Sequence, residues 1–187
     1  MRPTLFTLVS LVFVGFFARL IPHPFNFTPI VGMTLLAGIY ARPRWVALAV
    51  PFAAMFVSDL VLNNTVYASF YEGIQVFGSW GVYVALGLCA LLPLAANVGR
   101  QAGWTKLLGA GVGGSLLFFL VTNAAVWATS GIYPLNAAGL AASLAAGLPF
   151  FPATLASTLL FGGIGVWVMR GYSFRGARDT KLALSHR

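Results

Sequence analysis

The chain has 187 residues, of which 59% are hydrophobic and 7% are Asp, Glu, Lys or Arg, with a formal net charge of +8 and a mean hydropathy of +0.89. A soluble domain carries about 25% charged residues, so this composition argues against a soluble enzyme, a nucleic-acid-binding domain and a disordered chain. A single cysteine leaves no disulfide framework and no Cys-based zinc site within one chain; the class that remains is an all-α polytopic membrane protein.

A bilayer core about 30 Å thick needs roughly 20 apolar residues per helix, and six spans are read in chain order. The first covers Thr4 to Leu20. It follows Arg2, but Phe17-Ala18-Arg19-Leu20 offers no small-x-small cleavage site, so it is expected to be retained and not removed as a signal peptide. The second, Thr28 to Ala41, is short at 14 residues and is either extended into the preceding loop or set deep in the bundle. The third covers Trp45 to Leu62, and the fourth Phe77 to Val98, with Pro93 near its end as an expected kink. The fifth runs from Leu107 to Ala128 and the sixth from Pro152 to Arg170. Between these two, Leu135 to Leu148 is rich in Ala and Leu and uncharged, and reads as a short re-entrant or interfacial helix that stops before Pro149. Barrel strands would alternate over about ten residues; these runs are apolar all round.

Six spans put both termini on one side. Arg2, Arg42, Arg44, Arg100, Lys106, Arg170, Arg175, Arg178, Lys181 and Arg187 then share that side, and only Arg19 lies opposite. This asymmetry predicts cytoplasmic N and C termini. It also explains the basic balance without nucleic acid. Residues 1–170 are expected to form one six-helix domain, and 171–187 a basic cytoplasmic tail lying against anionic lipid headgroups. The cytoplasmic loops are short and the outer ones longer, which is where a binding lid would sit.

Ionisable groups at membrane depth are costly and usually pair or face a cavity. Here the polar residues gather at the outer end. Arg19 closes the first span, and His23 and Asn26 follow it. Ser58 and Asp59 end the third span, followed by Asn63, Asn64, Tyr67, Tyr71 and Glu72. Trp80 and Tyr83 open the fourth span; Thr122, Asn123 and Trp127 lie in the outer half of the fifth, with Tyr133 beyond. Taken singly, each has a plainer explanation. Asp59 with Arg19 can be a structural ion pair, the aromatics an interfacial belt, and Asn123 a hydrogen bond between helices. His23, between Pro22 and Pro24, reads as an exposed loop residue and not a metal ligand. Together they point to a polar and aromatic pocket open to the outside, suited to an organic ligand of moderate size. Gly109, Gly111, Gly113 and Gly114 lack a preceding strand and a lysine, so they read as helix-packing positions and not a phosphate loop. Cys89 reads as a buried inert thiol. No enzyme signature, metal set or cofactor motif is present in the sequence.

Four stretches carry a resemblance: Arg19-Leu-Ile-Pro-His-Pro-Phe-Asn-Phe-Thr-Pro-Ile30, Ser58-Asp-Leu-Val-Leu-Asn-Asn-Thr-Val-Tyr67, Thr122-Asn-Ala-Ala-Val-Trp127 and Gly147-Leu-Pro-Phe-Phe151. The chain resembles an uncharacterised family of small bacterial membrane proteins. That family is similar in turn to the substrate-binding S components of energy-coupling-factor vitamin transporters and to the solitary cobalamin transporters of the same fold. The resemblance implies a six-helix bundle with both termini inside and an outer pocket closed by the loops after spans one, three and five. It implies capture and uptake of a small organic nutrient, a vitamin or a corrinoid, with an energy-coupling membrane module as a partner. The chain departs from the pattern in three places. An acidic residue of the sixth span is replaced within Ala153-Thr-Leu-Ala-Ser-Thr158, a cobalt-ligating cysteine has no counterpart, and Gly15 and Ala18 do not reproduce the small-xxx-small docking pattern. Asp59, Asn63, Tyr67, Tyr83, Asn123 and Trp127 are expected to line the site, with Arg19 holding Asp59 or meeting an anionic ligand group. The rivals are a structural or assembly subunit of a membrane complex, and a membrane enzyme acting on lipid or quinone with Asp59 and His23 as acid and base.

Overall fold

The computed structural model describes residues 3–21, 25–70 and 72–185, with the side chains of 3, 4, 11, 16 and 172–185 outside that description. The described residues are all-helical: α1 (Pro3–Leu20), α2 (Ile30–Tyr40), α3 (Trp45–Asn64), α4 (Trp80–Ala95), α5 (Trp104–Thr129), α6 (Ala137–Gly147) and α7 (Phe151–Ser185), with 3-10 turns at Ala68–Phe70 and Leu148–Phe150. Three helical runs are long and apolar enough to cross a membrane: Trp45–Asn64, Trp104–Thr129 and the joined run Ala137–Gly171. The other apolar helices, Leu5–Leu20, Ile30–Tyr40 and Trp80–Ala95, are shorter.

The short second helix is the axis of the bundle. Every residue of α2 from Val31 to Tyr40 is buried, and it packs against α1, α3, α4, α5 and α7. At about 1.5 Å per residue it is only some 16 Å long, so of the two expectations for this segment the structure takes the deep setting. Two glycines let neighbouring backbones close on it. A Cβ on Gly32 would lie 2.9 Å from the Gly162 nitrogen and the Thr158 carbonyl of α7. A Cβ on Gly38 would run into the carbonyl of Ala90 on α4. On α5, Gly111 and Gly114 face Leu159 and Leu35 in the same way, whereas Gly109 faces open space.

The outward faces are apolar. On α5, Leu108, Val112, Leu116 and Leu120 form an exposed ridge at four-residue spacing, and Leu160, Ile164 and Trp167 form one at spacings of four and three on α7. Polar residues are turned inward: Ser58, Asp59, Asn63, Ser115, Ser143, Thr154, Ser157 and Thr158 are all buried. Water would penalise this arrangement and an apolar solvent would not.

Helix ends differ from the sequence expectation where polar contacts intervene. The fourth segment is helical over Trp80–Ala95 and not from Phe77 to Val98. Its start is set by Ser79, whose backbone is extended (ψ 123°), while the Gly78 N–H before it donates to Asp59. Its end is set by Asn97, whose φ of 51° is left-handed. The Asn97 N–H donates to the Leu94 carbonyl (3.2 Å) and the Val98 N–H to the Pro93 carbonyl (2.7 Å), a Schellman stop. The segment between spans five and six forms α6, opened by the Asn136 side chain accepting from the Gly139 N–H at 2.9 Å. The 3-10 turn at Leu148–Phe150 joins it to α7, which runs unbroken past Arg170.

Chain order places the helix ends alternately, and the arginines sort with them. Opposite Arg19, Arg100 donates to the Tyr40 carbonyl (2.8 Å). Arg170 donates to the Ala102 carbonyl (2.5 Å) and lies 5.3 Å from the Trp104 ring centre. Both guanidiniums thus fasten the α4–α5 connection to a neighbouring helix. The α2 contacts give a test with opposite signs: Gly38→Ala is expected to cost ~1–3 kcal/mol through overpacking, read as a lower midpoint of thermal unfolding in detergent. Gly163→Ala, where an added Cβ meets nothing within 4 Å, is expected to be neutral or to gain roughly 0.5–1 kcal/mol from helix propensity.

Candidate functional site

The polar side chains at the Arg19 end fall into two groups. The first is centred on Asp59, near the end of α3. Its side chain is 3% exposed and that of Arg19 18%, so both are largely out of solvent. Arg19 Nη1 of α1 donates to Asp59 Oδ1 at 2.9 Å. The Tyr83 hydroxyl of α4 donates to Oδ2 at 2.9 Å, and the Gly78 N–H donates to the same oxygen at 3.2 Å. Ser58 Oγ accepts from Arg19 while donating to the Met55 carbonyl (2.8 Å). One carboxylate therefore gathers donors from α1, from the α3–α4 connection and from α4. Gly78 has no side chain because a Cβ there would meet Asp59 Oδ2 at 2.6 Å. Aromatic rings cover the group: Phe77 stacks on Trp80 with centroids 5.0 Å apart, and Phe52 lies 5.8 Å from Tyr83. Charge and hydrogen-bonding capacity are matched within this cluster, which leaves Asp59 little to offer a ligand.

The second group lines a cavity of about 240 Å³. Its walls are Asn26 from the α1–α2 connection, Val82 of α4, Phe118, Phe119, Thr122, Asn123 and Val126 of α5, Gly147 of α6, Phe150 of the 3-10 turn, and Phe151 and Thr154 of α7. Asn26 holds a left-handed φ of 59°, a conformation asparagine tolerates well. Phe119 and Phe151 meet edge to face at 5.5 Å. Gly147 sits directly against the Asn123 carboxamide, where a Cβ would collide with Oδ1. Ser143 of α6 donates to the Asn123 carbonyl at 2.9 Å, fastening α6 over α5. Val82 and Phe118 also pack against the buried cluster of Met55, Tyr83 and Leu86, so an apolar layer separates the cavity from Asp59.

The residues expected from sequence are thus divided. Arg19, Asp59 and Tyr83 form the first group, with Trp80 on its outer side. Asn26 and Asn123 line the cavity. Asn63 is buried, and its Nδ2 has no hydrogen-bond partner among the described residues. Asn64 instead pins the α3–α4 connection: Nδ2 donates to the Leu60 and Gln75 carbonyls (both 2.8 Å) and Oδ1 accepts from the Gln75 N–H (2.9 Å). Tyr67 is exposed on that connection. Trp127 donates from Nε1 to the Pro134 carbonyl at 2.9 Å, holding the α5–α6 connection, and neither it nor Tyr133 lines the cavity. His23 and Tyr71 lie outside the described residues. Gly78 and the four cavity phenylalanines were not singled out from sequence as site residues. The signal for Phe150 and Phe151 was the Gly147–Phe151 motif, which the α6–α7 joint turns into the cavity.

Fold and site together define an all-helical bundle, three of whose apolar runs could cross a membrane, with a polar and aromatic cavity at the Arg19 end. The chain belongs to DUF6580, a family of unknown function whose model matches residues 1–174. It matches no curated protein and no solved structure. Neither finding connects it to S components or to cobalamin transporters.

The Asp59 cluster predicts strong coupling between its members. Asp59→Ala and Arg19→Ala should each cost ~3–5 kcal/mol by stranding the other charge, and the double variant should cost clearly less than the sum. Thermal unfolding of the four proteins in detergent measures this, and additive losses would show that the pair is not coupled.

Proposed function

We propose that the protein is a multi-pass membrane protein that captures a small organic molecule in the cavity between the α1–α2 connection and α4–α7, and mediates its uptake. The observation that supports this reading is the cavity itself: about 240 Å³, walled by four phenylalanines and offering Asn26, Thr122, Asn123 and Thr154 as polar groups. Ligand sites combine apolar walls with a few convergent polar groups in this way. Its volume lies just below the usual range of roughly 300–1,000 Å³. It therefore suits a ligand of one or two rings better than a corrinoid, whose macrocycle would need far more room.

In this reading the six expected spans are retained, with both termini cytoplasmic on the strength of ten basic residues against one. The cavity then opens to the outside, at the face away from Arg100 and Arg170. The shorter α2 is accommodated by burial inside the bundle, where it meets no lipid. Asp59 and Arg19 serve as a frame and not as ligand contacts. The likeness to S components gives the same role by analogy, and an energy-coupling module remains a proposed partner.

The test is to purify the protein from membranes, denature it and identify released small molecules by mass spectrometry. Thr122→Trp, which fills the cavity, is expected to abolish co-purification. Tyr67→Ala, at an exposed residue outside the cavity lining, is expected to retain it. A wild type that carries nothing and binds nothing across a vitamin panel would overturn the proposal.

A further inference from the structure

The hydrogen bonds of the cavity wall have a common direction. The Thr122 hydroxyl donates to the Phe118 carbonyl at 2.8 Å, and Asn123 Nδ2 donates to the Phe119 carbonyl at 2.8 Å. The Thr154 hydroxyl donates to the Phe150 carbonyl at 3.4 Å. Each satisfies the carbonyl four residues back on its own chain. Two hydroxyl donors and one amide donor are thereby spent on backbone. Among the described residues, Asn123 keeps a free Oδ1 and a second Nδ2 N–H, Asn26 keeps its whole carboxamide, and the Thr122 and Thr154 oxygens keep their lone pairs, so four acceptor oxygens stand against three N–H groups. The surplus is of acceptors.

Among the described residues, no Asp, Glu, Lys, Arg or His lines the cavity. Arg19 and Asp59 lie behind the Val82–Phe118 layer and neutralise each other. A carboxylate or phosphate entering this space would leave water without a cationic partner, and the available lone pairs would oppose it. An ammonium would find acceptors and ring faces but no counter-charge. A neutral planar group loses little on entry, and its N–H groups meet the lone pairs that the wall leaves free. Phe119 and Phe151, in contact edge to face at 5.5 Å, supply aromatic surface on which a flat ring can pack.

We propose that the ligand of this cavity is an uncharged, planar, ring-bearing molecule that donates hydrogen bonds, through an amide or ring N–H, to Asn123 Oδ1 and the Thr122 hydroxyl. This rests on the capture reading and sharpens it.

Four probes of one skeleton separate the possibilities: benzamide (neutral, donating), N,N-dimethylbenzamide (neutral, no donor), benzoate (anionic) and benzamidine (cationic, donating). Binding to the full chain in lipid nanodiscs is followed by ligand-observed NMR up to about 10 mM, the weak end expected of such small probes. Benzamide is expected to bind at least about tenfold more tightly than the dimethylated and anionic probes, and more tightly than benzamidine. Thr122→Val, which keeps the volume, and Asn123→Leu are each expected to bring benzamide down toward the dimethylated probe while leaving that probe unchanged. Equal or tighter binding of a probe without donors or with a charge overturns the chemical class but leaves capture standing. No binding by any probe also overturns the class, and the co-purification test above then decides separately whether capture itself fails.

Discussion

A carboxylate taken out of water among apolar helices must be met by donors, and Asp59 imposes that requirement on one whole end of this bundle. Its ionised form costs several kcal/mol to bury unless charge and lone pairs are both answered. The answers come from three parts of the chain: Arg19 on α1, the Gly78 backbone, and Tyr83 on α4. Each contact is directional, so together they fix how far α1 and α4 stand from α3. The glycine at position 78 is a consequence of the same carboxylate. At the opposite end the bundle closes by a different device. There Arg100 and Arg170 reach backbone carbonyls of the α2 terminus and of the α4–α5 connection. Those guanidiniums need no buried counter-charge, which suits an end where basic residues are concentrated.

Between the two ends the organising element is a helix with no charged residue. Ile30–Tyr40 is too short to bridge a bilayer and too apolar to lie at its surface. Surrounding it with five other helices resolves both problems. Its glycines bring the backbones of α7 and α4 into direct contact with it, so the centre is held by close packing over short distances.

Much of this was legible in the sequence, for physical reasons that also set the limits. Long apolar runs announce helices, and α3, α5 and the α7 core were placed to within a few residues because the few polar side chains they carry, Asp59 and Asn123 among them, do not break the run. The Arg19–Asp59 pair was foreseeable as one of two alternatives, since an acid and a base sharing one depth have few other partners. Three things were not legible. Where α4 starts is set by the extended backbone of Ser79, which hydrophobic pattern does not record. Asn64 and Trp127 looked like ligand contacts but spend their donors on neighbouring carbonyls, a choice decided by loop geometry. Phe118, Phe119, Phe150 and Phe151 line the cavity, yet a phenylalanine facing lipid and one facing a void are indistinguishable until the helices are assembled.

The separation of frame from cavity bears on which kind of protein this is. A purely structural bundle gains by filling its interior. The chain instead places Thr122, Asn123 and Thr154 around the cavity, and it keeps Gly147 against the Asn123 amide where any larger residue would collide. The Asp59 cluster, by contrast, leaves no such room and is satisfied within itself. Packing alone accounts for the second arrangement; the first keeps an open hollow whose polar groups retain hydrogen-bonding capacity that no described residue takes up, and the proposed capture rests on that difference.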